Sequence, residues 1–111
     1  MQIFVHTTKL QKLCNNAKDA VRTLGPAEAR KLMQRLQELE AAETLADIAR
    51  VPPPRCHELT GDRAGQISVD LQHPYRLIFI PANEPIPCRP DGGLEWDKVT
   101  EIEIVEITDT H

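Results

Sequence analysis

The chain has 111 residues, with 13 Lys and Arg against 17 Asp and Glu. That length fits one domain, residues 1–111, with a single modest core. A formal charge of −4 argues against a protein that coats nucleic acid by charge alone, and no apolar run approaches the ~20 residues of a membrane helix.

IFV at residues 3–5 reads as a short first strand. Thr7 or Thr8 can cap a helix in which Leu10, Leu13, Cys14, Ala17, Val21 and Leu24 recur at helical spacing. Gly25 stops that helix and Pro26 starts the next. There Ala29, Leu32, Met33, Leu36 and Leu39 form the apolar stripe, and Arg30, Lys31, Gln34, Arg35 and Glu38 are expected to face away. A turn of helix follows from Thr44, and VPPP at 51–54 ends the helical part, because proline favours extended geometry.

The period then changes from helical to alternating. In QISVDL, Ile67, Val69 and Leu71 alternate with polar residues, and in YRLIFI Tyr75, Leu77 and Phe79 oppose Arg76, Ile78 and Ile80. GDRAG and HP at 73–74 separate successive strands, which predicts a meander. The Pro- and Gly-rich stretch 81–93 predicts an excursion from the sheet. VTEIEIVEI, 99–107, predicts the last strand, and its alternation slips at Val105, where a β-bulge is the simplest explanation. The expected fold is α+β: an N-terminal strand and a two-helix hairpin packed on an antiparallel sheet.

Cys14, Cys56 and Cys88 are odd in number and widely spaced, which predicts reduced thiols rather than a disulfide frame or a zinc site. MQIFVHTTKL has neither a basic lead-in nor an apolar h-region, so no signal peptide is expected, and the location expected is cytoplasmic. The acidity is local. Residues 1–54 carry eight Lys/Arg against six Asp/Glu, residues 55–90 four against four, and residues 91–111 one against seven.

The chemistry concentrates between Arg55 and Phe79. Arg55 and His57, two apart on a predicted strand, would leave the same face. Arg63 sits in a turn beside Gly61 and Gly65, and Arg76 lies on a later strand. Histidine moves protons near neutral pH, and guanidinium groups bind phosphate oxygens with two donors each. One His with several Arg can cleave RNA without metal. The bland alternative is a surface histidine with arginines paired to Glu58, Asp62 or Asp70.

Four segments, LQELEAAETLADI, PPPRCHELTGDRAGQISVDL, HPYRLIF and the terminal ITDTH, together resemble HigB-like toxins of the RelE/ParE superfamily. The likeness follows the same order over nearly the whole chain, and R-x-H-x-L-x-G-D-R-x-G is its most specific part. It implies a type II toxin that cuts mRNA, typically on the ribosome, with no cofactor and no metal. The implied partner is a helix-turn-helix, HigA-like antitoxin; self-association into a homo-oligomer stays open. By motif position His57, Arg63, Arg76 and His111 would be catalytic, and Arg55 and Thr60 would contact RNA. Two positions depart from the pattern: Thr60 stands where the family usually has Lys, and Thr110 where its closing D-Y-H has Tyr. A ParE-like gyrase poison and a decayed toxin that keeps only antitoxin binding therefore remain open alternatives.

Overall fold

The computed structural model describes residues 1–110. Strand β1 (Gln2–Val5) leads into helices α1 (Thr8–Asn15), α2 (Ala17–Leu24) and α3 (Pro26–Ala41). Strands β2 (His57–Glu58), β3 (Ile67–Asp70), β4 (Tyr75–Pro81) and β5 (Glu101–Asp109) follow. They form one five-stranded sheet in the order β1-β5-β4-β3-β2. The α+β class and the meander are as the sequence predicts. The sheet is mixed, because β1 pairs with β5 in parallel while the other neighbours are antiparallel. A parallel partner needs a long crossover, and the helices and the meander together provide one.

The run expected as one helix from Thr8 to Leu24 is broken. Asn16 is extended (φ −134°, ψ 107°), and its side chain accepts from the N–H groups of Lys18 at 3.0 Å and Asp19 at 3.2 Å. Asparagine competes well for this capping geometry, and here it ends α1 and starts α2. Gly25, at φ 88°, does the same between α2 and α3, with Pro26 in the first turn of α3. That left-handed φ is one glycine adopts without cost. Thr7 caps α1, accepting from Leu10 N–H at 3.2 Å.

One face of the sheet carries the helices. Register pairs Ile67 with Phe79, Val69 with Leu77 and Phe79 with Ile104, so these side chains line one side. They pack with Leu13, Ala20, Ala29, Leu32 and Leu39 from the helices in a single core cluster. Full burial of a side chain such as Leu32 or Phe79 stabilises by roughly 1.5–3 kcal/mol.

Arg35 corrects the amphipathic reading of α3. It is 2 % exposed rather than turned to solvent. Its Nε donates to the carbonyl of Asp70 at 2.7 Å, Nη2 to that of Pro53 at 3.0 Å, and Nη1 to Glu38 Oε1 at 2.9 Å. A long side chain on a mostly polar helix face thus ties the polyproline stretch and the end of β3 to the helical layer.

Two irregularities shape the far side. β4 pairs Ile78 with Glu106 but Phe79 with Ile104, which leaves Val105 as the extra residue of the expected bulge. The excursion after β4 returns through a 3-10 turn, Trp96–Lys98. Trp96 Nε1 donates to Glu58 Oε2 at 3.1 Å, and Arg50 lies 4.0 Å from the indole centroid, so the excursion is anchored beside β2. All three cysteines are free thiols. Burial pushes Cys56 up to about 12 and Cys14 up to about 11, which keeps both protonated at neutral pH.

Candidate functional site

The sheet face opposite the helices holds the residues that the sequence singles out. Register sets His57 against Ser68, Ser68 against Ile78 and Ile78 against Glu106, forming one row across four strands. The next row is Asp70, Arg76 and Thr108. Directly opposed residues share a face, as do residues two apart on a strand, so His57 and Arg76 stand on the same side. Without the bulge at Val105, Glu106 would turn toward the helices; the extra residue delivers it to this face.

His57 is half-buried, not enclosed by the apolar core. Its Nδ1 lies 3.2 Å from the backbone carbonyl of Arg55 and 3.5 Å from Ser68 Oγ. A carbonyl oxygen can only accept, so in the neutral ring this contact holds the proton on Nδ1 and leaves Nε2 with its lone pair. In that neutral form the imidazole presents a proton acceptor rather than a donor.

Arg55 departs from expectation. β2 begins at His57, and Arg55 has φ 47°, in the left-handed region, so the two do not alternate along one strand. The turn swings the guanidinium onto Asp70, with Nε to Oδ2 at 2.8 Å and Nη2 to Oδ1 at 3.1 Å. Hydrogen bonding to Asp70 raises the Arg55 pKa above its ordinary value. The same turn aims the Arg55 carbonyl at the imidazole. Asp70 also lies 3.5 Å from Arg76 Nε, so one carboxylate stands between two guanidiniums. Its own backbone carbonyl is the one held by Arg35 from the helical side.

Arg63 closes the group from the 3-10 turn Gly61–Arg63, where Gly61 adopts φ 63°. Its Nη1 donates to Gln66 Oε1 at 3.0 Å and to Glu106 Oε1 at 2.9 Å. Both partners of the Arg63–Glu106 pair remain accessible, at 33 % and 44 % side-chain exposure. Arg76, at 10 %, is far less so. Thr60 is exposed and precedes the turn. His111 lies outside the described residues.

Three guanidiniums and an imidazole thus gather on one face, interleaved with two carboxylates. Of the acids that the sequence offers as partners, Asp70 is used, while Glu58 bonds Trp96 instead. Glu106 and Ser68 are missed by motif reading. The signal for Glu106 was present in the slipped alternation of IEIVEI, which changes the face of every residue after Val105. Among the described residues, no cluster of three or more His, Cys, Asp or Glu could hold a metal ion.

No family model matches this sequence, and no curated protein matches it either. Among solved structures, the fold is similar to that of a YoeB/ParE toxin from Agrobacterium tumefaciens, with a TM-score of 0.58 over 100% of both chains at 11% identity. At that identity the likeness is one of fold: this chain has the architecture of that toxin over its whole length.

Proposed function

We propose that this protein is the toxin of a type II toxin–antitoxin pair and cleaves mRNA without a metal ion. The observation that carries the reading is the contact between His57 Nδ1 and the Arg55 carbonyl. It orients Nε2 as a base on the face where Arg63 and Arg76 also stand. The shared fold with a YoeB/ParE toxin supports the broader assignment.

In this mechanism His57 Nε2 removes the proton from a ribose 2′-hydroxyl, and the 2′-oxygen forms a bond to the adjacent phosphorus. Charge builds on the phosphorane oxygens and is met by guanidinium donors. Arg63 is the more accessible donor and takes the phosphate first. An exposed ion pair contributes only about 0–1 kcal/mol, so a phosphate can displace Glu106 from Arg63. Arg76, held beside Asp70, supplies a fixed positive charge behind it, and Arg55 steers the RNA backbone. The bond from phosphorus to the 5′-oxygen then breaks, and a proton passes to that oxygen. His111, which the resemblance implies as a catalytic position, is the donor assigned in this reading. The products are a 2′,3′-cyclic phosphate and a 5′-hydroxyl end. Thr60 contributes a hydroxyl contact to the RNA, without the charge of a lysine. The reading places the protein in the cytoplasm, on ribosome-bound mRNA, and held inactive by a HigA-like helix-turn-helix antitoxin.

A second reading, a toxin that poisons gyrase by binding alone, is favoured by the pairing of Arg55 and Arg63 with Asp70 and Glu106. One experiment separates the two. The wild type and His57→Ala are expressed, growth is followed, and mRNA 5′ ends are mapped. Arrest with new 5′-hydroxyl ends that vanish in the variant is the expected result. Arrest without cuts selects the gyrase reading, and no arrest selects a decayed toxin that keeps only antitoxin binding.

A further inference from the structure

β5 is longer than the strand beside it. β1 stops at Val5, opposite Ile104, and the chain turns into α1, while β5 continues to Asp109. From Val105 onward this edge of β5 faces no strand among the described residues. The direction of its backbone groups follows from β4. Ala82 N–H donates to the Glu101 carbonyl at 2.8 Å, and Leu71 N–H to the Tyr75 carbonyl at 3.0 Å. By alternation Ile78 and Arg76 bond toward β5 and Leu77 toward β3. The partners of Ile78 and Arg76 are Glu106 and Thr108, so Ile107 turns its N–H and C=O to the open edge.

A cleft of about 440 Å³ lies there, lined by Val105, Glu106 and Ile107 in succession. Successive residues of a strand point to opposite faces, so the cleft follows the edge itself. Leu10 and Leu13 of α1 and Leu24 of α2 form its apolar wall, with exposed Thr7, Lys9 and Thr23 among them. Ile107 is half-buried here, whereas Ile102 and Ile104, beside β1, are 0 % exposed.

Unpaired backbone groups beside an apolar wall are completed by an extended chain, whose N–H and C=O pair with the strand while alternate side chains fill the wall. VEIT, 105–108, has neither the proline nor the lysine that discourages such pairing. The outer edge of β1 is partly closed, since Gln11 Nε2 donates to the Val5 carbonyl at 3.3 Å. Charge narrows the occupant. α1 and α2 carry exposed Lys9, Lys12, Lys18 and Arg22 against Asp19 alone. Asp19 pairs with Arg22, which leaves the three lysines without an ion-pair partner among the described residues. We propose that β5 beyond Ile104 takes an extended peptide segment of a partner protein as a further strand in line with β1. Its alternate apolar side chains lie against Leu10 and Leu13, and a flanking carboxylate meets Lys9. This surface does not depend on the nuclease reading.

The test uses the full chain and a synthetic peptide, acetyl-Glu-Val-Thr-Val-Thr-Val-Glu-amide, followed by amide NMR. Glutamate at both ends lets either strand direction bring a carboxylate to Lys9. The amides of Val105 to Thr108 and of Leu10 are expected to shift, and the Ile107 N–H to gain protection from exchange. N-methylation of the central valine is compared with that of the threonine after it, because neighbouring amides of a strand face opposite edges. One of the two should weaken binding about tenfold, as lost backbone hydrogen bonds require, and the other by about twofold at most. Lys9→Glu should weaken the peptide about threefold. The proposal is overturned by absent or displaced shifts at about 1 mM peptide, by equal effects of the two methylations, or by indifference to Lys9→Glu. Shifts of Val105 and Ile107 that follow protein concentration without peptide would assign the edge to a second copy of the chain and overturn it as well.

Discussion

The two faces of the sheet treat arginine in opposite ways. On the helix-covered face Arg35 is sealed from water, and its nitrogens reach two backbone carbonyls and one carboxylate. On the opposite face Arg55 and Arg63 meet carboxylate side chains and stay partly wet. A backbone carbonyl cannot leave, so the Arg35 contacts are permanent and serve the fold. A side-chain carboxylate at the surface can exchange for another anion at small cost. The difference marks which guanidiniums are free to act on a ligand. The two faces meet at Asp70, whose carbonyl is held by Arg35 while its carboxylate holds Arg55.

If that division is right, His57→Ala should lower RNA cleavage by about 10²–10⁴-fold, the usual range for a lost acid–base group. Its urea midpoint should hardly move; a large drop would place His57 on the structural side. Arg35→Ala should behave the other way. It removes a buried side chain and leaves two carbonyls and Glu38 without their donor, and should cost roughly 3 kcal/mol in chemical denaturation. Arg35→Lys should recover only part of this, since one ammonium cannot reach three acceptors spread over a guanidinium fork.

Glu106→Gln gives a smaller effect and a sharper one. Stability should change by no more than about 1 kcal/mol, while RNA affinity rises because Arg63 loses its competing anion. Unchanged affinity, measured by fluorescence anisotropy on a labelled oligonucleotide, would mean that Arg63 does not meet the phosphate. Glu28 provides the finest adjustment. Its folded pKa lies above its ordinary value of 4.5, so the folded state binds the proton more tightly than the unfolded one. Stability should therefore rise as pH falls through the folded pKa toward that ordinary value, and Glu28→Gln should lack the rise. Thermal unfolding midpoints of both proteins across that window would show it.

Much of this architecture is local and could be read directly. Gly25 and Pro26 separate two helices because one residue tolerates a left-handed φ and the other starts a helix. Period-two alternation grouped Ile67 with Val69 and Leu77 with Phe79 on one face of their own strands, and the slip at Val105 announced the bulge. The Asn16 break was legible in principle, since asparagine is a strong N-cap, but the helical spacing of apolar residues runs through it undisturbed.

The amino-acid order by itself marked out most of the elements, the apolar face of each, and His57, Arg63 and Arg76 as candidates. Tertiary structure alone decided their partners. Arg35 reaches a carbonyl 35 residues away and Arg63 a carboxylate 43 residues away. Arg55 leaves its expected strand position for Asp70, and in turning it hands its carbonyl to the imidazole. Periodicity is set by neighbours along the chain and says which side a residue takes. Which charge it meets there depends on strand register and layer packing, which no short stretch of sequence contains.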